Sequence, residues 1–407
     1  MGKPAVKHKK KKKFQLGDYF KLAPKGTHID RVFLLITVTL LAFGLVVLYS
    51  ASYVRGIYER GDSFHYIKDQ LIFAVIGLAI MLFVQKLDYH IYRKYAFLLL
   101  GITYILLIIV LFMEPYNGCK RWIYIPGAGT FQPSEIAKFA VILMFAHLLD
   151  VHHERLDKFK YGIIPFAIIL ALIAGLMLLE PHLSGTIIIF GIAAIMMFVG
   201  GVRLIWFIGA GAAAVTLLIT VLAIKPDLVH YASDRIEFWL HPENDLLGKG
   251  YQSYMAKLAI GSGGLMGTGL GNGRQKHLHL PEPQNDFIFA VACEELGFIG
   301  GCFIIILFIA LFVRGYQIAF KAQDKFGGLL ALGITTQIAL QACLNVAVAT
   351  GTIPNTGISL PFFSEGGTSL MMILAEIGIV LSISRDMGLE QKPAPEDEKK
   401  HKKKKRR

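Results

Sequence analysis

Ten stretches of this chain are each close to twenty residues long and almost wholly apolar, and that repetition leaves one kind of fold open to it. The runs fall at about 31–51, 69–85, 95–113, 134–150, 161–179, 185–201, 204–224, 286–313, 327–349 and 368–384. A helix rising 1.5 Å per residue crosses about 30 Å of hydrocarbon in ~20 residues. Inside lipid every backbone N–H and C=O must be paired within the protein, which a helix does along its own length. The expected fold is therefore all-α: a polytopic integral membrane protein of ten transmembrane helices. Composition agrees, with 54% hydrophobic and 17% charged residues and a mean hydropathy of +0.54, too apolar for a soluble enzyme of 407 residues.

Charge sets the expected topology. The net charge of +13 comes from the two ends: residues 1–13 hold seven Lys, and residues 391–407 hold nine Lys/Arg against three acids. Such runs read as disordered tails drawn to the anionic inner leaflet. They lack the interleaved aromatics that a nucleic-acid surface would need, so no nucleic-acid partner is expected. The expected division is a basic cytoplasmic tail at 1–30, a membrane domain at 31–385 and a second basic cytoplasmic tail at 386–407. With ten spans both termini lie in the cytoplasm, and Lys86, Arg93, Lys94, Arg155, Lys158, Lys160, Arg203, Arg314, Lys321 and Lys325 then fall in inner loops. The first run is read as a retained anchor, since it is too long for the core of a signal peptide.

One outer segment is long. It runs from about 225 to 285, with "SDRIEFWL" and "YQSYMAKLAI" as short helices expected at the interface. Its "GSGGLMGTGLGNGRQK" suggests a phosphate cradle but matches neither a Walker loop nor a dinucleotide fingerprint. Arg274 and Lys276 can contact an anionic leaving group there, or simply line a solvated face. Glu282, just downstream, joins them as a candidate substrate contact.

Carboxylates near a bilayer are costly unless they face protein, water or substrate. Four groups of such residues lie at the outer ends of the spans. One is "LPEPQNDFIFAVACEELGF", with Asp286, Glu294 and Glu295. On a straight helix counted up from Arg314, Glu294 lies at the membrane edge and Asp286 about 12 Å above it. Asp286 can be a helix N-cap or a reactive acid. Glu294 and Glu295 are adjacent, cannot share a helical face, and at least one is expected to pair with a neighbouring helix. A second group holds Arg121 and Trp122, suited to a headgroup-level site, with Glu135 and Lys138 three apart on one helical face. A third is "EPHLSGT", with Glu180 and His182, and a fourth is the shaped loop "GTIPNTGISLPFFSEGGTSLM".

Other chemistries have no signature. Cys119, Cys293, Cys302 and Cys343 show no CxxC spacing, and three of them lie inside apolar runs where Cys behaves as a small hydrophobe, so no disulfide framework is expected. "HLH" at 277–279 and the pair His152 and His153 belong to no HExxH or Cys/His cluster, and no metal site is expected. No GxSxG elbow occurs. What remains is a carboxylate acting as acid or base.

Three stretches carry a family resemblance: "KRWIYIPGAGTFQPSEIAK", "GGLMGTGLGNGRQKHLHLPEPQNDFIFAVACEELG" and "NVAVATGTIPNTGISLPFFSEGGTSLM". In them, and over about 30–385, the chain resembles the SEDS family (shape, elongation, division and sporulation), which includes FtsW, RodA and SpoVE, with wording closer to FtsW and SpoVE. The resemblance implies a ten-helix peptidoglycan glycosyltransferase of the bacterial cytoplasmic membrane. It would polymerise lipid II at the outer face beside a class B penicillin-binding protein transpeptidase. It implies that Asp286 is catalytic and that Glu135 and Lys138 line the central cavity. It requires no cofactor and is compatible with a divalent cation. A lipid II flippase and a non-catalytic scaffold are the rival readings. Two positions depart from the family pattern: His182 stands where Asp is common, followed by an extra Ser184, and Glu365 where an aromatic is common.

Overall fold

In the computed structural model, residues 28–114, 120–125, 129–180, 182–212, 216, 237–245, 248, 250–277 and 279–387 are described. Both basic tails, all but residues 28–30 of the first and residues 386–387 of the second, lie outside these residues, as do Cys119 and most of the stretch 213–236.

The chain is built from long helices: α1 Arg31–Arg60, α2 His65–Val84, α3 His90–Leu111, α4 Pro133–Val151, α5 Phe159–Leu179, α6 Leu183–Gly200, α7 Tyr251–Ser262, α8 Ile288–Lys321, α9 Lys325–Ala349 and α10 Gly367–Asp386. Eight of them are long and apolar enough to cross a membrane. α4 is of spanning length too, but carries Glu135, Lys138 and Asp150. Of the expected span at 204–224, residues 204–212 are helical and most of the rest lies outside the described residues. α7 coincides with the short helix expected at "YQSYMAKLAI"; of "SDRIEFWL", residues 237–240 are helical.

Burial sorts the helices by position. Leu71, Val75, Phe97, Ile105, Ile168 and Phe303 are exposed along the outer helices, as side chains facing lipid would be. α4 is buried on every face from Ala137 to Ala146. It packs against α3, α6 and α9, and α9 in turn packs against α6, α8 and α10. A helix enclosed by protein can carry an ion pair at membrane depth, because the partner and not lipid meets each charge.

One end of the bundle is stitched by caps and ion pairs. Asp30 caps α1 through Phe33 N (2.9 Å) and also binds Arg314 of α8 (2.8 Å). Asp324 caps α9 through Gly327 N (3.0 Å) and accepts from Tyr89. Arg93 pairs with Asp150 (2.9 Å), and Arg203 with Asp157 (3.4 Å). The Arg and Lys residues expected in inner loops gather at this end.

Two boundaries differ from the sequence expectation. α1 runs on past residue 51 to Arg60, because Arg55 and Glu59 pair one turn apart (2.6 Å) and the extension packs on the turn before α8. α8 is not straight. Gly297 has φ 70° and ψ −170°, which splits it into a short helix at 288–296 and a longer one at 298–321. The longer part spans the bilayer at about 36 Å, so the spanning segment lies about ten residues later than 286–313. The count up from Arg314 that places Glu294 at the membrane edge runs through this break and does not hold. The short part, buried from Ile288 to Glu295, lies within protein.

Candidate active site

The kink explains the glycine-rich segment. Breaking α8 frees the carbonyls of Glu294 and Glu295, and the loop supplies their donors: Thr268 N to Glu294 O and Gly269 N to Glu295 O, both 3.0 Å. Beyond the kink, Phe298 N donates to Gly264 O (2.8 Å) and Ile299 N to Leu265 O (3.3 Å). This loop is a strap that completes a broken helix, not a phosphate cradle. A Cβ on Gly297 would stand 2.3 Å from Gly267 N, and its φ is one that L side chains rarely adopt. Gly297→Ala is therefore expected to lose the strap, seen as a collapse of folded, detergent-soluble protein; normal yield and melting temperature would refute the account.

The two adjacent glutamates hold the same strap, although they point from different faces, because the loop wraps the end of the short helix. Glu294 accepts from Arg274 N (2.6 Å) and Gln275 N (3.2 Å). Glu295 accepts from Ser50 of α1 (2.5 Å) and Gly271 N (3.2 Å), and pairs with Lys276 (2.5 Å). Lys276 is 1% exposed, bonded to Ser50 (3.1 Å) and stacked on Tyr53. It is not available to a phosphate, and the expectation that it contacts a leaving group is corrected: its charge is consumed by Glu295. Arg274 is exposed, with only its backbone tied to Glu294.

Asp286 sits in the turn that leads into α8, and bonds to the turn's backbone carbonyls fix it. Its carbonyl accepts from Asn345 Nδ2 (2.8 Å), an amide that also donates to Ile358 O (2.6 Å). The carbonyl of Asn285 accepts from Ser364 Oγ (2.7 Å), and that of Gln284 from Glu365 N (2.9 Å). α9 and the loop 350–366 thus hold the turn from one side. The Asp286 carboxylate lies against Gly357, where an added Cβ would stand 3.3 Å from Oδ2. It is partly buried and has no hydrogen-bond partner among the described residues. The N-cap reading is corrected, because the N-cap of α8 is Phe287 and no side chain caps it. Burial pushes the Asp286 carboxyl up to about 6, the charge of Glu282 adds to this, and Arg121 opposes it.

Arg121 joins this site to the third group. Its Nε donates to the carbonyl of Glu180 (3.4 Å), and its charge reaches Asp286, Glu180 and His182. Glu180 is 1% exposed; burial pushes its carboxyl up to about 8, against the pull of Arg121, so it is neutral at pH 7. His182 is pushed down to about 3 by burial and by the positive charges of Arg121 and Lys138. Its Nε2 lies 3.2 Å from both Gln132 Nε2 and Ser134 Oγ, which as donors make Nε2 the acceptor of a neutral ring. His182 is thus an uncharged group packed against the start of α4. Trp122 is partly buried beside Arg121, at the foot of a two-stranded hairpin, Ile123–Ile125 with Gly129–Phe131, that the helical reading did not anticipate. Thr368 at the start of α10 donates to the hairpin at Thr130 O (3.3 Å).

Glu135 and Lys138 form a buried pair at 2.8 Å, with Ser369 of α10 donating to Glu135 (3.1 Å). Sequence reasoning passed over Glu376, which is 1% exposed on α10 and accepts from Gln337 of α9 (2.8 Å). The signal was available: a lone acid in "MMILAEIGIVL" is costly unless it faces a polar interior. Glu282 is paired as well. Arg55 binds Oε1 and Asn285 binds Oε2 of its carboxylate, and the side chain stays 37% exposed.

The fold and these residues define a polytopic, predominantly helical membrane protein with a partly buried carboxylate, Asp286, at one end of the bundle, opposite the basic end. Residues 30–388 match the family model described as "Cell cycle protein", that of FtsW, RodA and SpoVE, and the chain belongs to this family. It is 39% identical over 384 residues to a probable peptidoglycan glycosyltransferase FtsW of Trichlorobacter lovleyi, covering 93% of this chain and 96% of that one. It is 40% identical over 367 residues to stage V sporulation protein E of Bacillus subtilis, covering 89% and 99%. Among solved structures, a chain reported under "Structural coordination of polymerization and crosslinking by a peptidoglycan synthase complex" superposes with a TM-score of 0.74 at 28% identity, covering 89% of this chain and 99% of that one.

Proposed function

We propose that this chain is a peptidoglycan glycosyltransferase that polymerises lipid II, with Asp286 as the general base. The observation that carries the assignment is a carboxylate on a turn whose backbone carbonyls at 284–286 are held by α9 and the loop 350–366, partly exposed, and with no hydrogen-bond partner among the described residues. Asp286 takes the proton of the acceptor sugar's 4-hydroxyl as that oxygen attacks the anomeric carbon of the donor. The carbon–oxygen bond to the lipid diphosphate breaks, and the lipid diphosphate leaves with the electron pair. One direct displacement inverts the anomeric carbon. Arg121, whose charge reaches Asp286, is placed to offset charge on the departing diphosphate, with Trp122 beside it. Arg274, exposed on the strap, can meet the same diphosphate.

The site faces outward, because the basic ends and the Arg-rich, capped end of the bundle belong to the cytoplasmic leaflet. The transpeptidase that cross-links the product is a class B penicillin-binding protein, the partner that a synthase complex of polymerisation and cross-linking calls for.

The test is lipid II polymerisation by the purified protein with that partner, comparing wild type with Asp286→Asn. Translocation of fluorescent lipid II across liposomes without polymer would overturn the reading in favour of a flippase. The same assay with EDTA reports whether a divalent cation takes part. A base with a pKa of about 6 must lose its proton to work, so kcat/KM is expected to rise about tenfold per pH unit below 6 and to level off above it. A profile flat from pH 5 to 8 would count against Asp286.

A further inference from the structure

Glu282 stands four residues before Asp286 and is one of two non-glycine residues with positive φ among those described, at 51°. Such a conformation is unfavourable for an L side chain and persists where the surroundings over-determine it. Here they do. Arg55 Nη2 binds Glu282 Oε1 (3.2 Å), Asn285 Nδ2 binds Oε2 (2.5 Å), and Asn285 N donates to the Glu282 carbonyl (3.1 Å). Arg55 is itself held by Glu59 on α1 (2.6 Å), which accepts from Tyr66 (2.5 Å). The extension of α1 therefore braces the turn before α8 through Glu282, in addition to the bonds from Asn345 and Ser364.

We propose that Glu282, braced between Arg55 and Asn285, is a positioning residue for Asp286, acting on polymerisation through that carboxylate and not by touching the lipid-linked substrate. The inference rests on Asp286 being the base. The charged groups facing Asp286 are Glu282 from its own turn and Arg121, just before the hairpin's first strand. Those facing Glu282 are Arg55 from α1, and Asp286 and Glu365, the latter at the end of the loop before α10. Glu282 thus sets a fixed negative charge beside the base, and Arg55 partly neutralises it.

Two substitutions then move the acid limb of the rate profile in opposite directions. Glu282→Gln keeps the shape and removes the charge, so Asp286 ionises more readily and the limb shifts to lower pH. A displacement of about one unit raises kcat/KM relative to plateau about fivefold at pH 5. Arg55→Met leaves Glu282 uncompensated and shifts the limb to higher pH. A merely structural loss would lower the plateau and leave the limb in place. Opposed shifts with little change in the KM for lipid II establish the role, and thermal melting of each variant reports folding. A limb unmoved in both variants, or a raised KM in Glu282→Gln as the main effect, overturns it. Should either variant misfold, Arg55→Lys, which retains the charge, must keep the wild-type limb; a displaced limb there also overturns the proposal. Asp286→Asn runs alongside: activity in that variant overturns the base assignment and this inference together, whereas an inactive Asp286→Asn with unmoved limbs overturns this inference alone.

Discussion

Glycan polymerisation falls by about 10²–10⁴ when Asp286 is replaced by asparagine, the range a positioned general base contributes. Asparagine has the same shape, and the contacts that hold the turn run through backbone carbonyls to Asn345 and Ser364, so they survive the change. Melting temperature and binding of lipid II are therefore expected to stay near wild type while turnover is lost. An amide cannot accept the proton of a sugar hydroxyl at neutral pH, and that is the one property removed. Polymerisation retained in the variant would show that the base lies elsewhere; loss of folding would show that the carboxylate carries weight in the fold.

The second large effect concerns stability. Lys276→Met strands the carboxylate of Glu295, whose side chain is 2% exposed, and removing one partner of a buried pair costs about 3–5 kcal/mol. The strap, α1 and the kinked helix meet at this pair, so the apparent Tm in detergent is expected to fall by ~5–10 °C. The double variant Lys276→Met with Glu295→Gln removes both charges and is expected to recover most of the loss, since the penalty comes from the uncompensated charge. Had Lys276 served a phosphate, the single variant would instead raise KM at unchanged Tm, and the second substitution would rescue nothing.

Asp286 and the Glu135–Lys138 pair were legible as polar sites in the sequence because burying charge in a bilayer is expensive. A carboxylate at the edge of an apolar run, or an acid and a base three apart within one, needs a polar reason to be there. Glu376 obeys the same rule and was passed over as a lone acid without a spacing partner; its partner, Gln337, comes from a helix 39 residues away in sequence. The burial of Lys276 was hidden for a related reason. Its partners, Ser50 on α1 and Glu295, are brought to it by the fold, and nothing local distinguishes a paired charge from a free one.

Gly297 shows the limit most clearly. In "EELGFIGG" a glycine inside an apolar run fits a tolerated helix position, a close helix contact or a break, and local energetics differ among these by only ~1 kcal/mol. The break is decided by the strap at 264–269, whose amides satisfy the carbonyls it frees. By itself the sequence determined the membrane class, the rough positions of most of its apolar helices and the residues too costly to be lipid-facing, because hydrocarbon thickness and the desolvation of charge act on each segment alone. Only the tertiary structure decided which charges pair, where α8 breaks and that the Asp286 carboxylate has no hydrogen-bond partner among the described residues, because each of these depends on donors and acceptors brought from distant parts of the chain.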